Sequence, residues 1–324
     1  MKFDQLKQSL KEKVQNIYLI EGEEAFFRFR ASEMIKEACL SEPSLNYTRF
    51  SGAELKAAGV DSLILALRSF PFMSDKRVIE VFDWYPTASD LKDKSLKQFF
   101  SEPTDTSVLI IFNEKSCDAL KKNPSVTVVE CERADEQLIA RFIRSKATKE
   151  NLIVSTGVCK KIADFCQFDM VRIDGEVNKL IDYCRGTGEI DDAAVELLVT
   201  KDADYQIYEM VNLISRKNYT DAYKIIATIR TPSDKQMLIV SLYNHFRRMF
   251  YCATTKGDNA TIAENLGVKE YAVKKAGEQA AAFSPKRLKT IVDKLSESDA
   301  AFKSGLKPID NVFSECIFCI LTDE

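Results

Sequence analysis

The sequence predicts an α/β N-terminal domain with a parallel sheet, followed by a region that is wholly helical. Up to about residue 146, short β-branched runs alternate with longer segments of helical period, which is the pattern of βαβ units. Beyond residue 147, apolar residues recur only at the helical period. The chain also has only 11 Gly and 8 Pro in 324 residues. That is about half of the average usage, and it favours long helices over an all-β sandwich.

Five β-branched or aromatic runs predict the strands of the first domain, at residues 16–20, 47–50, 77–82, 107–112 and 126–129. The run at 107–112 is apolar at every position after Ser107, as expected of a strand that is buried on both faces of a sheet. Four helices are predicted between and after these strands, at residues 24–39, 60–69, 89–100 and 135–146. This alternation predicts a doubly wound α/β domain.

The remainder of the chain predicts two groups of helices. The first group would form a small bundle, from residues 155–165, 170–185 and 191–200. The second group follows from about residue 206, and its clearest helix start is Ser284-Pro285, a capping residue followed by Pro at the first helical position. We therefore expect three domains, at residues 1–146, 147–208 and 209–324.

The composition excludes several classes of protein. With 46 Lys+Arg against 49 Asp+Glu, 45% hydrophobic and 29% charged residues, the chain has the ordinary globular mixture rather than that of a disordered protein. No apolar run approaches the ~18 residues of a membrane span, and the N-terminus lacks the apolar stretch of a signal peptide. The expected location is cytoplasmic, where the nine scattered cysteines would stay reduced.

The turn after the first predicted strand lacks the residues of a nucleotide-binding loop. A phosphate-binding loop of this type needs glycines, a Lys and a Ser or Thr that reaches Mg²⁺. Here the turn reads Glu21-Gly22-Glu23-Glu24, with neither the Lys nor the hydroxyl, and its three carboxylates would repel a polyphosphate. We therefore expect no nucleotide cofactor at this turn.

No other segment predicts a catalytic or metal site. The single histidine, His245, lies on a predicted helix without a nucleophile motif nearby, so we interpret it as a surface or packing residue. Cys316 and Cys319 have CxxC spacing but no second pair at zinc-site distance, and we interpret them as core residues. The sequence thus predicts no catalytic residue, no metal and no cofactor.

The most informative segment is the connection between the second predicted helix and the third strand. It places Phe70, Pro71, Phe72 and Met73 together, where a loop would normally be polar. A stiff aromatic tip is suited to insertion into a pocket of a partner protein. The alternative is that these side chains fold back into the α/β core, and the pattern alone favours that second interpretation.

Six segments in order along the chain resemble a known family, the delta subunit of the bacterial DNA polymerase III clamp loader. They are Tyr18 to Glu24, Phe70 to Val78, Asp174 to Leu180, Phe246-Arg247-Arg248, Gly267 to Lys275 and Asp299 to Gly305. The resemblance covers nearly the whole chain, and it rests on the order and spacing of these segments together.

The resemblance implies an AAA+-like chain of three domains: an α/β module that has lost ATP binding, a small helical lid and a helical collar. It implies a subunit without catalytic activity that binds the ring-shaped sliding clamp (beta) and helps to open it during DNA replication. The implied partners are the other loader subunits, delta prime and tau/gamma, in a hetero-oligomer that acts on primed DNA, with no membrane partner.

The resemblance also maps the clamp contact onto Pro71 and Phe72, with Phe70 and Met73 on either side. Pro71 stands where some relatives carry an aliphatic residue, so the division of the contact between Pro71 and Met73 stays open.

Two other functions are compatible with the sequence. In the first, the chain is a nucleic-acid-binding adaptor whose C-terminal helices contact DNA. From residue 211 onward there are 17 Lys+Arg against 13 Asp+Glu, an excess too small to form a basic stripe. In the second, it is a nucleotide-using enzyme with an unusual phosphate loop. Salt-dependent DNA binding would support the former, and retention of ATP the latter.

Overall fold

A computed structural model describes residues 1–40, 43–201, 203–227 and 229–322 of the chain. It divides into two compact units, Met1–Asp135 and Glu136–Glu324. The expected boundary at residue 146 falls within the helix Glu136–Lys149, which belongs to the second unit. The three-domain boundaries, including the one at residue 208, stay predictions.

The first unit contains a five-stranded sheet in which every neighbouring pair is parallel. Its strands are β1 (Ile17–Glu21), β2 (Tyr47–Ser51), β3 (Arg77–Phe82), β4 (Ser107–Phe112) and β5 (Thr127–Glu130). Their order is β2-β3-β4-β1-β5. All six residues of β4 are buried, as its apolar sequence predicts. The parallel α/β fold expected for this part of the chain is therefore confirmed.

The described residues of the first unit also form seven α-helices: α1 (Phe3–Glu12), α2 (Ala25–Cys39), α3 (Pro43–Asn46), α4 (Gly52–Ala58), α5 (Asp61–Arg68), α6 (Lys94–Ser101) and α7 (Asp118–Lys121). The sequence predictions correspond to α2, α5 and α6, and they missed the other four. Helix α4 carries a readable signal, because Ser51 and Glu54 form a reciprocal capping box at its start.

Both faces of the sheet are covered. Residues of β1, β3 and β4 that point to one face form a core with helices α5 and α6, in which Leu63, Leu67 and Phe99 are buried. Helix α2 packs against the same three strands through other side chains. On that second face Glu80 of β3 is buried and accepts a hydrogen bond from Ser32 of α2. The sheet is therefore wound on both sides, as predicted.

The second unit is mostly helical. It contains α8 (Glu136–Lys149), α9 (Thr156–Phe165), α10 (Met170–Tyr183), α11 (Asp192–Leu198), α12 (Ala203–Ser215), α13 (Tyr219–Ala227), α14 (Pro232–Thr254), α15 (Asn259–Leu266), α16 (Glu270–Ala280), α17 (Pro285–Lys303) and α18 (Ile309–Leu321). Helix α17 begins as predicted, with Ser284 accepting a hydrogen bond from the Arg287 backbone. In the core, Phe246 of α14 is buried among residues of α12, α16, α17 and α18.

The expectation that no strand occurs beyond residue 147 is wrong. Two short strands, β6 (Ile153–Val154) and β7 (Glu189–Ile190), pair in parallel beside the helices. Each has only two residues, which is too short to produce a detectable alternation of apolar and polar side chains. Their pairing joins the segment before α9 to the segment before α11.

His245 is a buried packing residue on α14. Its Nε2 lies 2.7 Å from Oε1 of Gln279, and its Nδ1 lies 3.4 Å from a guanidinium nitrogen of Arg248. Gln279 in turn donates to the backbone oxygen of Tyr208 at 2.7 Å. Burial first, and the charge of Arg248 second, lower the pKa of His245 to about 4. The neutral imidazole therefore links three helices of the second unit.

Acid should destabilise the second unit through His245. Above pH 6.5 the imidazole is neutral in both the folded and the unfolded chain, so its titration does not change the free energy of unfolding. As the pH falls from 6.5 to 4 the unfolded chain takes up a proton that the folded chain excludes. The free energy of unfolding should then fall by about 3 kcal/mol from this group. Urea titrations of wild type and His245→Gln across this range isolate the effect, and a constant difference between the two proteins would contradict it.

Candidate protein-binding loop

The predicted apolar segment forms a loop, residues 69–76, that joins α5 to β3; we call it the tip loop. Three of its large apolar side chains are exposed to solvent: Phe70 is 84% exposed, Phe72 59% and Met73 83%. Pro71, between the two aromatic rings, is half-buried. A cluster of large apolar side chains left in water on a domain surface is typical of a binding site for another protein.

The interpretation that these side chains fold back into the core is therefore wrong. The buried side of α5 already fills the core with Leu63 and Leu67. At the end of α5, the Thr104 hydroxyl donates a hydrogen bond to the Leu67 backbone oxygen at 3.1 Å. The chain thus leaves the core after Leu67, and the two rings that follow lie at the surface.

Local hydrogen bonds fix both ends of the tip loop. At the helix end, Ser69 donates from its backbone nitrogen and from its hydroxyl to the Leu65 backbone oxygen, at 3.1 and 2.7 Å. At the strand end, the Ser74 hydroxyl donates to the Lys76 backbone oxygen, and the Lys76 ammonium donates to the backbone oxygen of Asp105, each at 3.1 Å. The apolar part of the tip loop lies between these two anchors.

A buried asparagine holds the middle of the tip loop. Asn46 is 1% exposed, and its side-chain nitrogen donates to the Phe72 backbone oxygen at 2.9 Å. Its side-chain oxygen accepts from the Phe72 backbone nitrogen at 2.7 Å. The next residue, Met73, has a φ of 49°, in the left-handed region that non-glycine residues rarely adopt. The backbone is thus held in one conformation at Phe72, in the middle of the exposed segment.

The sequence reasoning missed Asn46. Its partner lies 26 positions away, and an asparagine immediately before a strand is common in loops and turns. Leu45, next to Asn46 in the sequence, and Leu65, on the helix that precedes the tip loop, are also exposed and were not singled out. No local pattern separates these residues from ordinary surface positions.

The turn after β1 is closed where a phosphate-binding loop would be open. The Cys131 backbone nitrogen donates to the Glu21 oxygen at 2.7 Å, and the Glu24 nitrogen donates to the Cys131 oxygen at 3.0 Å. The Glu24 carboxylate caps α2 by accepting from the Phe26 backbone nitrogen at 3.2 Å. A helix start that would otherwise attract an anion is thus already occupied by the carboxylate of the chain itself.

The side chain of Glu21 is also engaged within the domain. It is buried, forms a 2.5 Å ion pair with Lys121 and accepts from the Cys117 backbone nitrogen at 3.2 Å. The hydrogen bond to Glu21 is the main cause that raises the pKa of Lys121. This carboxylate serves the packing of α7 against the sheet.

The other candidate residues are packing residues. All nine cysteines are free thiols, six of them buried. Cys316 is buried in the core of the second unit, and burial is the main cause that raises the pKa of its thiol. Cys319 packs on the same core, as predicted. Within residues 1–40, 43–201, 203–227 and 229–322, no group of three His, Cys, Asp or Glu side chains could hold a metal ion.

Among the described residues, no helix is both long and apolar enough to cross a membrane.

Two family profiles match the chain. The profile described as DNA polymerase III, delta subunit, matches residues 18–132, and the one described as DNA polymerase III delta subunit, C-terminal domain, matches residues 204–318. Together they span well over half of the chain. The first match includes the tip loop, and the second includes most of the helical core around α14.

Individual relatives extend this similarity. DNA polymerase III subunit delta of Bacillus subtilis is 24% identical over 326 residues, covering 95% of this chain and 93% of the relative. A probable DNA polymerase III subunit delta of Rickettsia prowazekii is 24% identical over 220 residues, covering 66% and 67%. The solved structure of a Bacillus subtilis DNA clamp loader delta protein has a TM-score of 0.78 at 21% identity, covering 98% of this chain and 99% of that one. This last likeness confirms the predicted fold class.

Proposed function

Since the chain belongs to the DNA polymerase III delta subunit family, we propose that it is the clamp-opening subunit of a clamp loader, which acts in the cytoplasm during DNA replication. In this proposal the tip loop binds the ring-shaped sliding clamp through Phe72 and Met73, with Phe70 and Pro71 beside them. The observation that carries the proposal is the exposure of these side chains on a loop whose backbone is fixed at both ends. A fixed loop loses little conformational entropy when it docks.

Ring opening follows from a difference in affinity. If the tip loop contacts a surface that is fully accessible only in an opened or distorted clamp, binding shifts the ring toward that state. The shift can be no larger than the difference between the two binding free energies. Two large apolar side chains supply about 1.5–3 kcal/mol each when fully buried, which suffices only for a ring that is close to balance between closed and open.

We further propose that the chain has no catalytic site and that other loader subunits hydrolyse ATP. The support is the turn after β1, where Gly22 lies against the Cys131 backbone and Glu24 caps the helix. The partners in this proposal are the delta prime and tau/gamma subunits, assembled with this chain on primed DNA. Direct DNA contact by the C-terminal helices stays a prediction, and steep salt dependence of DNA binding by the chain alone would support it.

The chain alone is expected not to retain ATP. In equilibrium dialysis with labelled ATP and Mg²⁺, the ATP concentration should be the same in the chamber that contains the chain and in the chamber that does not. The reason is that the turn after β1 lacks the Lys that a phosphate-binding loop requires. A purified ATP-hydrolysing loader subunit serves as the positive control. Stoichiometric retention by this chain would contradict the proposal that it is ATP-independent.

The central test is a pull-down with purified sliding clamp. The full chain should be retained on immobilised clamp, and the comparison with and without the other loader subunits shows whether they change the exposure of the tip loop. If the clamp retains no chain in either condition, the proposed function is wrong.

A further inference from the structure

We propose that Asn46 is a positioning residue for the clamp contact, and that it acts by holding the Phe72 backbone so that the ring of Phe72 faces the clamp. This inference rests on the proposed function, because it assigns the role of the tip loop to clamp binding. Asn46 itself is buried, so it lies behind the contact surface rather than within it.

The two hydrogen bonds of Asn46 fix the direction of the Phe72 side chain. The backbone nitrogen of Phe72 belongs to the peptide before its Cα, and the backbone oxygen belongs to the peptide after it. Asn46 binds both groups, at 2.7 and 2.9 Å, through one planar amide that has one acceptor and one donor end. Both peptide planes beside the Cα of Phe72 are therefore held, and with them the bond from Cα to the side chain.

Asn46 is itself anchored to the sheet. It directly precedes β2, whose first residue, Tyr47, lies opposite Val78 of β3 in a parallel register. The tip loop ends where β3 begins. The side chain of Asn46 thus connects the middle of the tip loop to β2. Since β2 pairs with β3, the strand that follows the tip loop, Asn46 gives Phe72 a rigid support.

The backbone beside Phe72 needs such a support. Met73 adopts a left-handed φ of 49°, a conformation that costs energy in a residue with a side chain and persists only when its surroundings hold it. Without the Asn46 hydrogen bonds, we expect residues 71–73 to sample several backbone conformations. Binding would then have to select one of them, which lowers the observed affinity.

The chain offers a matched control for the loss of such a pairing. Asn113 is buried in the same unit and binds the backbone of Trp84 in the same way: its oxygen accepts from the Trp84 nitrogen at 2.9 Å, and its nitrogen donates to the Trp84 oxygen at 2.7 Å. Trp84 lies outside the tip loop. Replacing Asn113 by Ala therefore removes an equivalent pair of hydrogen bonds without touching the clamp contact.

The test is a double-mutant cycle between Asn46→Ala and Phe72→Ala, with Asn113→Ala as control. Dissociation constants for purified sliding clamp are measured at a temperature well below the melting point of every variant. Asn46→Ala should weaken binding by about 10-fold in the wild-type background, and by less than about 2-fold when Phe72 is already Ala. Asn113→Ala should leave the affinity within about 2-fold of wild type. Exchange of the Phe72 backbone amide proton should accelerate in Asn46→Ala only.

A second variant covers the case in which Asn46→Ala does not fold. Asn46→Asp keeps the size and the acceptor but loses the donor to the Phe72 oxygen, so it should also weaken binding and should also depend on Phe72. Clamp binding at wild-type strength by a folded Asn46 variant, an equal loss in both backgrounds, or an equal loss in Asn113→Ala would each overturn the inference alone. Failure of the wild-type chain to bind clamp would overturn the proposed function, and the inference with it.

Discussion

Replacing Phe72 and Met73 together by Ala is expected to weaken the binding of this chain to the sliding clamp by about 100-fold or more. Each side chain exposes most of its apolar area to water in the free chain, at 59% and 83%. Burial of that area in a partner pocket contributes about 1.5–3 kcal/mol per side chain, and truncation to Ala removes most of it. Because neither side chain packs in the core, the melting temperature should not change.

The measurement is a binding titration of the full chain with purified clamp, together with a thermal melt of each protein. Phe318→Ala is the matched control, because Phe318 is 65% exposed on α18, in the second unit, and should contribute nothing to the clamp contact. If the double variant binds as tightly as wild type, the tip loop is not the contact. If Phe318→Ala loses binding to the same extent, the loss reflects general surface hydrophobicity.

The strands of the sheet could be predicted because each carries its own signal. A run such as Ser107–Phe112 is apolar at nearly every position, which only a strand buried on both faces requires. Several of the missed elements lack such a signal. Helices α3 and α7 have four residues each, and β6 and β7 have two residues each, so that tertiary packing rather than local sequence decides their structure.

The candidate site was only partly predictable, for a similar reason. The composition of Phe70 to Met73 shows that the loop is unusual, but the pattern allows both burial and exposure of these side chains, and taken alone it favours burial. The outcome depends on whether the core below α5 has space, and that space is filled by residues such as Phe99 from a different helix. The hydrogen bonds between Asn46 and Phe72 likewise could not be predicted, because the two residues come together only in the folded chain and no sequence pattern links them.

Replacing Gly22 by Ala is expected to destabilise the first unit by about 3 kcal/mol or more. Gly22 has a φ of 131°, and a Cβ atom there would lie 2.3 Å from the Cys131 backbone oxygen. The Cys131 backbone cannot move away from this Cβ, because its nitrogen donates a hydrogen bond to the Glu21 backbone oxygen and its oxygen accepts one from the Glu24 backbone nitrogen. The variant therefore combines backbone strain with a steric clash that has no flexible partner.

Gly59→Ala separates these two contributions, since Gly59 also has a positive φ, of 83°. Apart from Gly59 and its two chain neighbours, no described residue has a heavy atom within 4 Å of the position that its Cβ would occupy. It should cost only the strain, about 1–2 kcal/mol. The single tryptophan, Trp84, is buried in the first unit, so its fluorescence during urea unfolding reports that unit directly. Equal unfolding midpoints for the two variants would mean that the turn after β1 can accommodate a Cβ atom at position 22 without a clash. The closed turn, and with it the structural argument against a nucleotide at this position, would then be wrong.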